Sequence, residues 1–521
     1  MNLRNTQKSP TFKKYNLALT ISIVFALFFW IITLNQPLID KHEFRQTQTA
    51  LTVLFNPNLI FNFLNYKTPV LGFPWQIPFE FPLFQILVSF FSNLLPVDIS
   101  LLGRLISILF GISCLIPVSN IFKIFNIRSK GLMCFYLLYF SSAIYLYWNR
   151  SFLIESTALF LSLSALLFYL KLFTNINDKE LISKKITYLS LLLFLTLVLS
   201  MLVKITTAFP ILLLLLLDNF RLVINDIYYA KKRRHIKTLL ISIFICLASS
   251  IIYYYWSEYT QSIRLENYFT SFIKDSALHE FLFGSFYQKF SVLLWGKVVI
   301  FRCFYIVGIL PFLFLTYKVL PSATIKIKLF LFYNFLLFIL PLIIFTNIHI
   351  IHDYYQYSNE IYLIIFLSTI FSLSQNSNNY KLKILGHNSL SIFVISSYIF
   401  FLIYYLPSAT NYKSVKLDIG NYINQNTSDD SVIVIYGDDW SSAFSYFSKR
   451  YSITYPSWNY EKYKPFEELL NDLDEHKGSK NISAIVRSKN KPLINIKKVC
   501  PMKEELNFNE WELIICNNQQ K

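Results

Sequence analysis

Long apolar runs separated by short polar breaks fill the first four-fifths of the chain, and these runs set its architecture. Crossing hydrocarbon takes roughly 20 apolar residues. Runs of about that length fall at 17–34, 101–122, 131–148, 152–173, 187–203, 205–222, 238–256, 298–317, 329–348, 358–374 and 389–406, which predicts about eleven transmembrane helices. One further apolar stretch, 80–96, is short, bounded by prolines and followed by Asp98, and is expected to lie on the membrane surface instead of crossing it. After residue 407 the pattern changes. Ser431-Val-Ile-Val-Ile-Tyr-Gly reads as a buried strand, 465–476 as an amphipathic helix, and Ile482–Val486 and Trp511–Ile515 as further strands. The expected fold is an α-helical polytopic membrane body over 1–409, with a first outer loop at 35–100, and a small extracytoplasmic α/β domain over 410–521.

Composition supports this division. The 521 residues are 54% hydrophobic and 18% aromatic, with a mean hydropathy of +0.44, which is not the profile of a soluble domain. A net charge of +18 raises the question of nucleic acid, but its placement answers it. Residues 410–521 carry 15 Lys and Arg against 15 Asp and Glu, so the excess lies in 1–409, largely in short loops such as Lys231-Lys-Arg-Arg234. Positive charge in short loops orients a protein in a membrane and retains those loops in the cytoplasm. No nucleic-acid partner is expected. The orientation that follows places 35–100, the Asn149–Arg150 turn, Lys204, 257–297, 349–357 and everything after 407 on the outer face of an inner (cytoplasmic) membrane. Cys500 and Cys516 can form a disulfide if their region is extracytoplasmic. The other four cysteines fall in or beside apolar runs.

Two polar islands stand out on that face: Asp40-Lys-His-Glu-Phe-Arg-Gln-Thr-Gln at 40–48, and His352-Asp-Tyr-Tyr-Gln at 352–356. Each directly follows an apolar run. Carboxylates, histidines and an arginine gathered where bilayer meets water suit chemistry on a lipid-carried substrate. An Asp or Glu there can take the proton of an acceptor hydroxyl, a contribution of typically 10²- to 10⁴-fold. Arg150, Glu155 and Lys204 lie at or just inside the same edge, where ionisable groups are costly and often functional, and cations there can hold a phosphate. The glycines never fall in GxG or GxxxxGK spacing, and GxSxG is absent, which argues against an ATP-driven enzyme and against the commonest serine hydrolases.

A first outer loop opening on Asp40, a multi-span body, the turn Arg150-Ser-Phe-Leu-Ile-Glu155, the His352-Asp-Tyr-Tyr-Gln segment and a terminal α/β domain together resemble the GT-C glycosyltransferases. The likeness is greatest to bacterial relatives of protein O-mannosyltransferases and of the aminoarabinose transferase acting on lipid A. The resemblance implies a polyprenyl-phosphate-linked sugar donor, a lipid, glycan or protein acceptor, and inverting transfer outside the cytoplasm. It implies a catalytic acid in the first outer loop, which falls on Asp40, with Glu43 the second acid after the intervening Lys41 and His42. On this reading Arg45, Arg150 and Lys204 hold the donor phosphate, while His42, Glu155, His352, Asp353, Tyr355 and Gln356 orient sugar or acceptor. No cofactor is certain; if a divalent ion takes part, Asp40, Glu43, His352 and Asp353 are its candidate ligands. Two alternatives remain, a polysaccharide polymerase or ligase and a lipid-linked sugar transporter or flippase. Transport calls for charges spread through the spans, whereas Arg104 and Arg302 are the only Lys or Arg clearly inside apolar runs.

Overall fold

The computed structural model describes residues 10–175, 182–228, 236–271, 275–455, 468, 471–491 and 500–517. Seven of its helices are long and apolar enough to cross a membrane: Tyr15–Ile32, Ile99–Ile124, Glu155–Leu172, Lys184–Ile224, Leu239–Glu266, Ile325–Ile344 and Tyr380–Ala409. The difference from eleven has identifiable causes. The fifth and sixth spans from the sequence belong to one helical stretch, Ile182–Tyr228, interrupted only at Lys204, whose φ of −159° and ψ of 96° are extended. The run at 131–148 is two shorter helices, Ser129–Ser141 and Ala143–Trp148, meeting at Ser142. The run at 298–317 starts as a π-helix, Leu293–Cys303, and resumes at Ile309–Val319. Helix Gln356–Asn376 has the length of a span but is buried along most of its course and carries Asn359 and Glu360. Leu83–Leu94 is a separate 12-residue helix, as the short surface stretch anticipates.

The C-terminal region forms a five-stranded sheet in the order β2-β1-β3-β5-β4. Its strands are β1 (Ser431–Tyr436), β2 (Tyr451–Tyr455), β3 (Asn481–Ser488), β4 (Met502–Phe508) and β5 (Trp511–Cys516). Strands β1, β2 and β3 are parallel, while β5 runs antiparallel to β3 and β4. Side chains alternate faces along a strand, and the alternation divides the burial. Val432, Val434 and Ile485 pack toward Leu51, Val70 and Trp75 of the first loop, whereas Ile433, Ile435 and Val486 pack on Ile419 and Ile423 of helix Val415–Asn426. The predicted strands at 431, 482 and 511 are present; β2 and β4 went unanticipated. Residues 465–467 and 469–470 of the predicted helix at 465–476 lie outside the described residues, as does the basic loop Lys231–Arg234; helix Leu473–Lys477 overlaps the end of the predicted helix. Cys500 and Cys516 are disulfide-bonded.

The first loop is stitched to the sheet. Leu71 bridges Ile453 of β2, and backbone bonds run from Ser452 N to Pro69 O at 3.1 Å, Gly72 N to Ser452 O at 3.0 Å and Thr454 N to Val70 O at 3.0 Å. Gly72 takes φ +81°, and a Cβ there would lie 3.1 Å from the carbonyl of His476. The chain therefore turns tightly against the sheet where a side chain would collide.

Candidate active site at the head of the helix bundle

The two polar islands meet. His42 lies in the left-handed region with φ 55° and starts helix Glu43–Leu54. Its Nε2 is 2.7 Å from the Asp353 Oδ1 contributed by the second island. Lys41 approaches the other Asp353 oxygen at 3.9 Å, and its ammonium sits 3.6 Å above the Tyr404 ring. Burial works to raise the carboxyl pKa of Asp353, but the hydrogen bond and charge of His42, with Arg302 and Lys41, outweigh it and hold the group below the usual carboxylate range.

Asp40 is fixed more tightly still. Its Oδ2 accepts from Arg150 Nη2 at 2.7 Å and lies 3.6 Å from Arg104 Nη1, while Oδ1 accepts from Gln46 Nε2 at 2.6 Å. Arg150 also donates to Gln36 Oε1 at 2.9 Å, and its guanidinium packs 4.9 Å from the Tyr147 ring centre. Arg150 is fully buried and paired with the Asp40 carboxylate. The cause is the break at Asn149–Arg150 between helices, which turns the side chain inward where the first span ends. Arg104, one of the two arginines inside apolar runs, completes the clamp and donates to Arg150 O at 3.1 Å.

Glu43 faces the C-terminal region. Lys416 Nζ stands 3.1 Å from Glu43 Oε1 and 2.9 Å from Asp438 Oδ2, joining the first loop to the loop after β1. A cavity of about 330 Å³ opens there, lined by Asp40, His42, Glu43, Lys416, Asp438 and Trp440 among others.

Beside it lies a second cationic group. Lys204 pairs with Glu155 and caps the Tyr355 ring at 3.6 Å; its extended backbone at the helix break is what lets it reach that far. Arg45 pairs with Glu80 and bonds Gln48. Burial lowers the pKa of Arg45, yet Glu80 and the neighbouring tyrosines outweigh it and raise the pKa overall, so the guanidinium stays charged. His352 stacks near Tyr354 with ring centres 5.3 Å apart. Its burial, with the charges of His42, Lys204 and Arg45, pushes its pKa down to about 3, despite the opposing pull of Asp353. Gln356 is buried: it donates to His349 O at 2.8 Å and its Oε1 lies 3.4 Å from Arg302 Nη1. Arg302 sits near the end of the π-helix, a distortion that frequently marks functional positions.

All eleven residues singled out in the sequence therefore lie at this end of the bundle. Arg104, Arg302, Gln36, Gln46 and Glu80 were missed as members. For the two arginines the signal was present, as cations alone in apolar runs; for the others only the folded chain shows it. The candidate metal ligands do not fit an ion. Asp40 is held by arginine and Gln46, Asp353 by His42, and Glu43 by Lys416, and among the described residues no three His, Cys, Asp or Glu side chains form a metal-holding group.

No family model matches the chain, and no curated protein matches it. Solved structures do. ArnT from Cupriavidus metallidurans bound to undecaprenyl phosphate superposes with a TM-score of 0.63 at 12% identity, covering 96% of this chain and 98% of that one. The archaeal oligosaccharyltransferase AglB from Archaeoglobus fulgidus, in complex with an inhibitory peptide and a dolichol-phosphate, matches at 0.59 and 11% identity over 92% of this chain and 70% of its own. The mycobacterial arabinofuranosyltransferase AftD matches at 0.55 and 11% identity, over 98% of this chain and 40% of that one. The chain is a multi-pass membrane protein with the fold of the GT-C glycosyltransferases.

Proposed function

We propose that this protein is a membrane glycosyltransferase that moves a sugar from a polyprenyl-phosphate-linked donor to a hydroxyl of a lipid, glycan or protein acceptor, with inversion, on the extracytoplasmic side. The observation that carries the reading is the meeting of the two polar islands through His42 and Asp353, beside a cavity lined by Asp40 and Glu43, in a GT-C fold whose solved examples include one with undecaprenyl phosphate and one with a dolichol-phosphate.

In this mechanism the acceptor oxygen attacks the anomeric carbon as the bond from that carbon to the phosphate oxygen breaks, and the polyprenyl phosphate leaves. Asp40 takes the acceptor proton. Each carboxylate oxygen has two lone-pair sites, so one strong hydrogen bond to Gln46 and one to Arg150 leave capacity on both. Arg150 and Arg104 act as positioning residues that aim the carboxylate. Arg45 and Lys204 stabilise the phosphate as charge develops, an effect amplified beside low-dielectric lipid. Glu43, His42, Glu155, His352, Asp353, Tyr355 and Gln356 shape the pocket and orient sugar or acceptor hydroxyls. The 410–521 region is proposed to be an extracytoplasmic domain whose Lys416 and Asp438 close one wall.

The experiment is transfer of radiolabelled sugar from a polyprenyl-phosphate-sugar pool in membranes containing this chain. Label appearing in an acceptor only when the chain is present supports the reading; none above background from a varied donor pool opposes it and favours a polymerase, ligase or transporter.

A further inference from the structure

Helix Ile182–Tyr228 carries Lys204 at the candidate active site and runs on to Asp218 and Arg221, where it meets Tyr333 of helix Ile325–Ile344. Asp218 lies fourteen residues past Lys204, roughly 21 Å along a helix at about 1.5 Å per residue. At that far end a second cavity, of about 210 Å³, opens between the helices. Its walls are largely apolar, among them Leu166, Leu170, Leu214 and Leu337, while Asp218, Arg221, Lys326, Tyr169 and Tyr333 are the charged and hydroxyl groups in its lining.

The polar groups are organised. Asp218 Oδ1 accepts from Arg221 Nη2 at 2.7 Å and from the Tyr333 hydroxyl at 2.6 Å, Oδ2 accepts from the Tyr169 hydroxyl at 3.0 Å, and Arg221 Nε donates to Tyr333 at 2.8 Å. One carboxylate therefore orients and balances Arg221. Lys326 adds a second cation: its Nζ donates to Ile124 O at 2.9 Å, and an ammonium has three protons to give. The lining carries a net single positive charge, from Arg221 and Lys326 against Asp218, over an apolar slot. Its complement is a molecule with an anionic head and a hydrocarbon tail.

We propose that this cavity binds one anionic glycerophospholipid of the bilayer, an acyl chain in the slot and its phosphate against Lys326 and Arg221. The site is separate from the candidate active site and does not depend on the glycosyltransferase reading. Its distance from Lys204, roughly 21 Å along the helix, favours a bilayer lipid over the substrate of that reaction.

The test is native mass spectrometry of the purified full chain in detergent, with phosphatidylglycerol, phosphatidylcholine or undecaprenyl phosphate added in turn. One phosphatidylglycerol should be retained at least about tenfold more tightly than phosphatidylcholine, a modest energetic difference. Lys326→Ala, at an exposed position, and Leu170→Trp, which fills the slot, should each weaken retention about tenfold while leaving lipid-free thermal unfolding unchanged. Equal retention of phosphatidylcholine, retention unaffected by Lys326→Ala, or preferential retention of undecaprenyl phosphate would overturn the proposal. If Leu170→Trp fails to fold, Lys326→Ala decides alone.

Discussion

Asp40 and Arg150, 110 positions apart, are bound at 2.7 Å in an ion pair with no exposed side-chain surface on either partner. The pair has a consequence for how a catalytic role is tested. Asp40→Asn looks conservative in the sequence, but it strands two buried guanidiniums, and breaking a buried pair by removing one partner costs about 3–5 kcal/mol. Loss of activity in that variant alone would not separate chemistry from folding.

Removing Arg150 together with Asp40 lessens the difficulty, because one guanidinium, Arg104, is then left without its carboxylate instead of two. Asp40→Asn with Arg150→Gln is expected to unfold at a temperature between those of Asp40→Asn and the wild type and to lose transfer by about 10²-fold or more. Asp40→Asn alone, which leaves both guanidiniums without a carboxylate, should be the least stable of the three variants, and Arg150→Gln, which leaves Arg104 facing Asp40, the most stable. Detergent-solubilised melting curves alongside initial rates check both statements.

Lys204 and Glu155 form a second buried pair with a different expectation. Lys204→Met should destabilise by about 3 kcal/mol by leaving Glu155 uncompensated, and Lys204→Met with Glu155→Gln should recover most of that loss. Activity should not recover in the double variant, since the cation assigned to the phosphate is still missing. Recovery of both stability and transfer would make the pair purely structural.

His352 sets an acid-side limit on stability. Its folded pKa of about 3 lies below the ordinary value of 6.5, so between these the unfolded chain binds more protons, and stability falls as pH falls through that window. The contribution is fully present above about pH 6.5. Wild-type melting temperature should drop on going from pH 7 to pH 4, and His352→Gln should drop by less. Asp353, whose folded pKa is also depressed, loses its contribution only below its ordinary value of 3.8, so its effect is separated by pH.

Lys416 joins Glu43 to Asp438 across the cavity. Its side chain is 20% exposed, so Lys416→Ala should leave the melting temperature nearly unchanged, as partly exposed pairs are typically worth about 1 kcal/mol or less. If the loop after β1 forms a wall of the acceptor site, KM for the acceptor should rise several-fold while KM for the donor stays constant. Equal changes in both would remove Asp438 and Lys416 from acceptor binding.

The sequence disclosed much of this arrangement because the membrane imposes it. Apolar length located the helices, and polar residues directly after apolar runs marked the two islands that the fold brings together through His42 and Asp353. It fell short where helices depart from regular geometry. Lys204 sits in a one-residue break inside a continuous helical stretch, and Arg302 near the end of a π-helix, so counting runs gave spans without their distortions. The use made of each charge was equally hidden. Arg150 reads as an available cation in the chain, and only the fold shows it committed to Asp40 with Arg104 behind it. Strand β4 escaped because its side chains alternate between half-buried and exposed at a sheet edge, a weak hydrophobic signal.

The most direct measurement is sugar transfer from a radiolabelled polyprenyl-phosphate donor by membranes containing wild-type chain, compared at equal folded amounts with Asp40→Asn/Arg150→Gln and with Arg150→Gln alone. The account predicts label in an acceptor with the wild type, residual transfer with Arg150→Gln, and none above background with the double variant. Transfer by the double variant at the rate of Arg150→Gln would contradict Asp40 as the base.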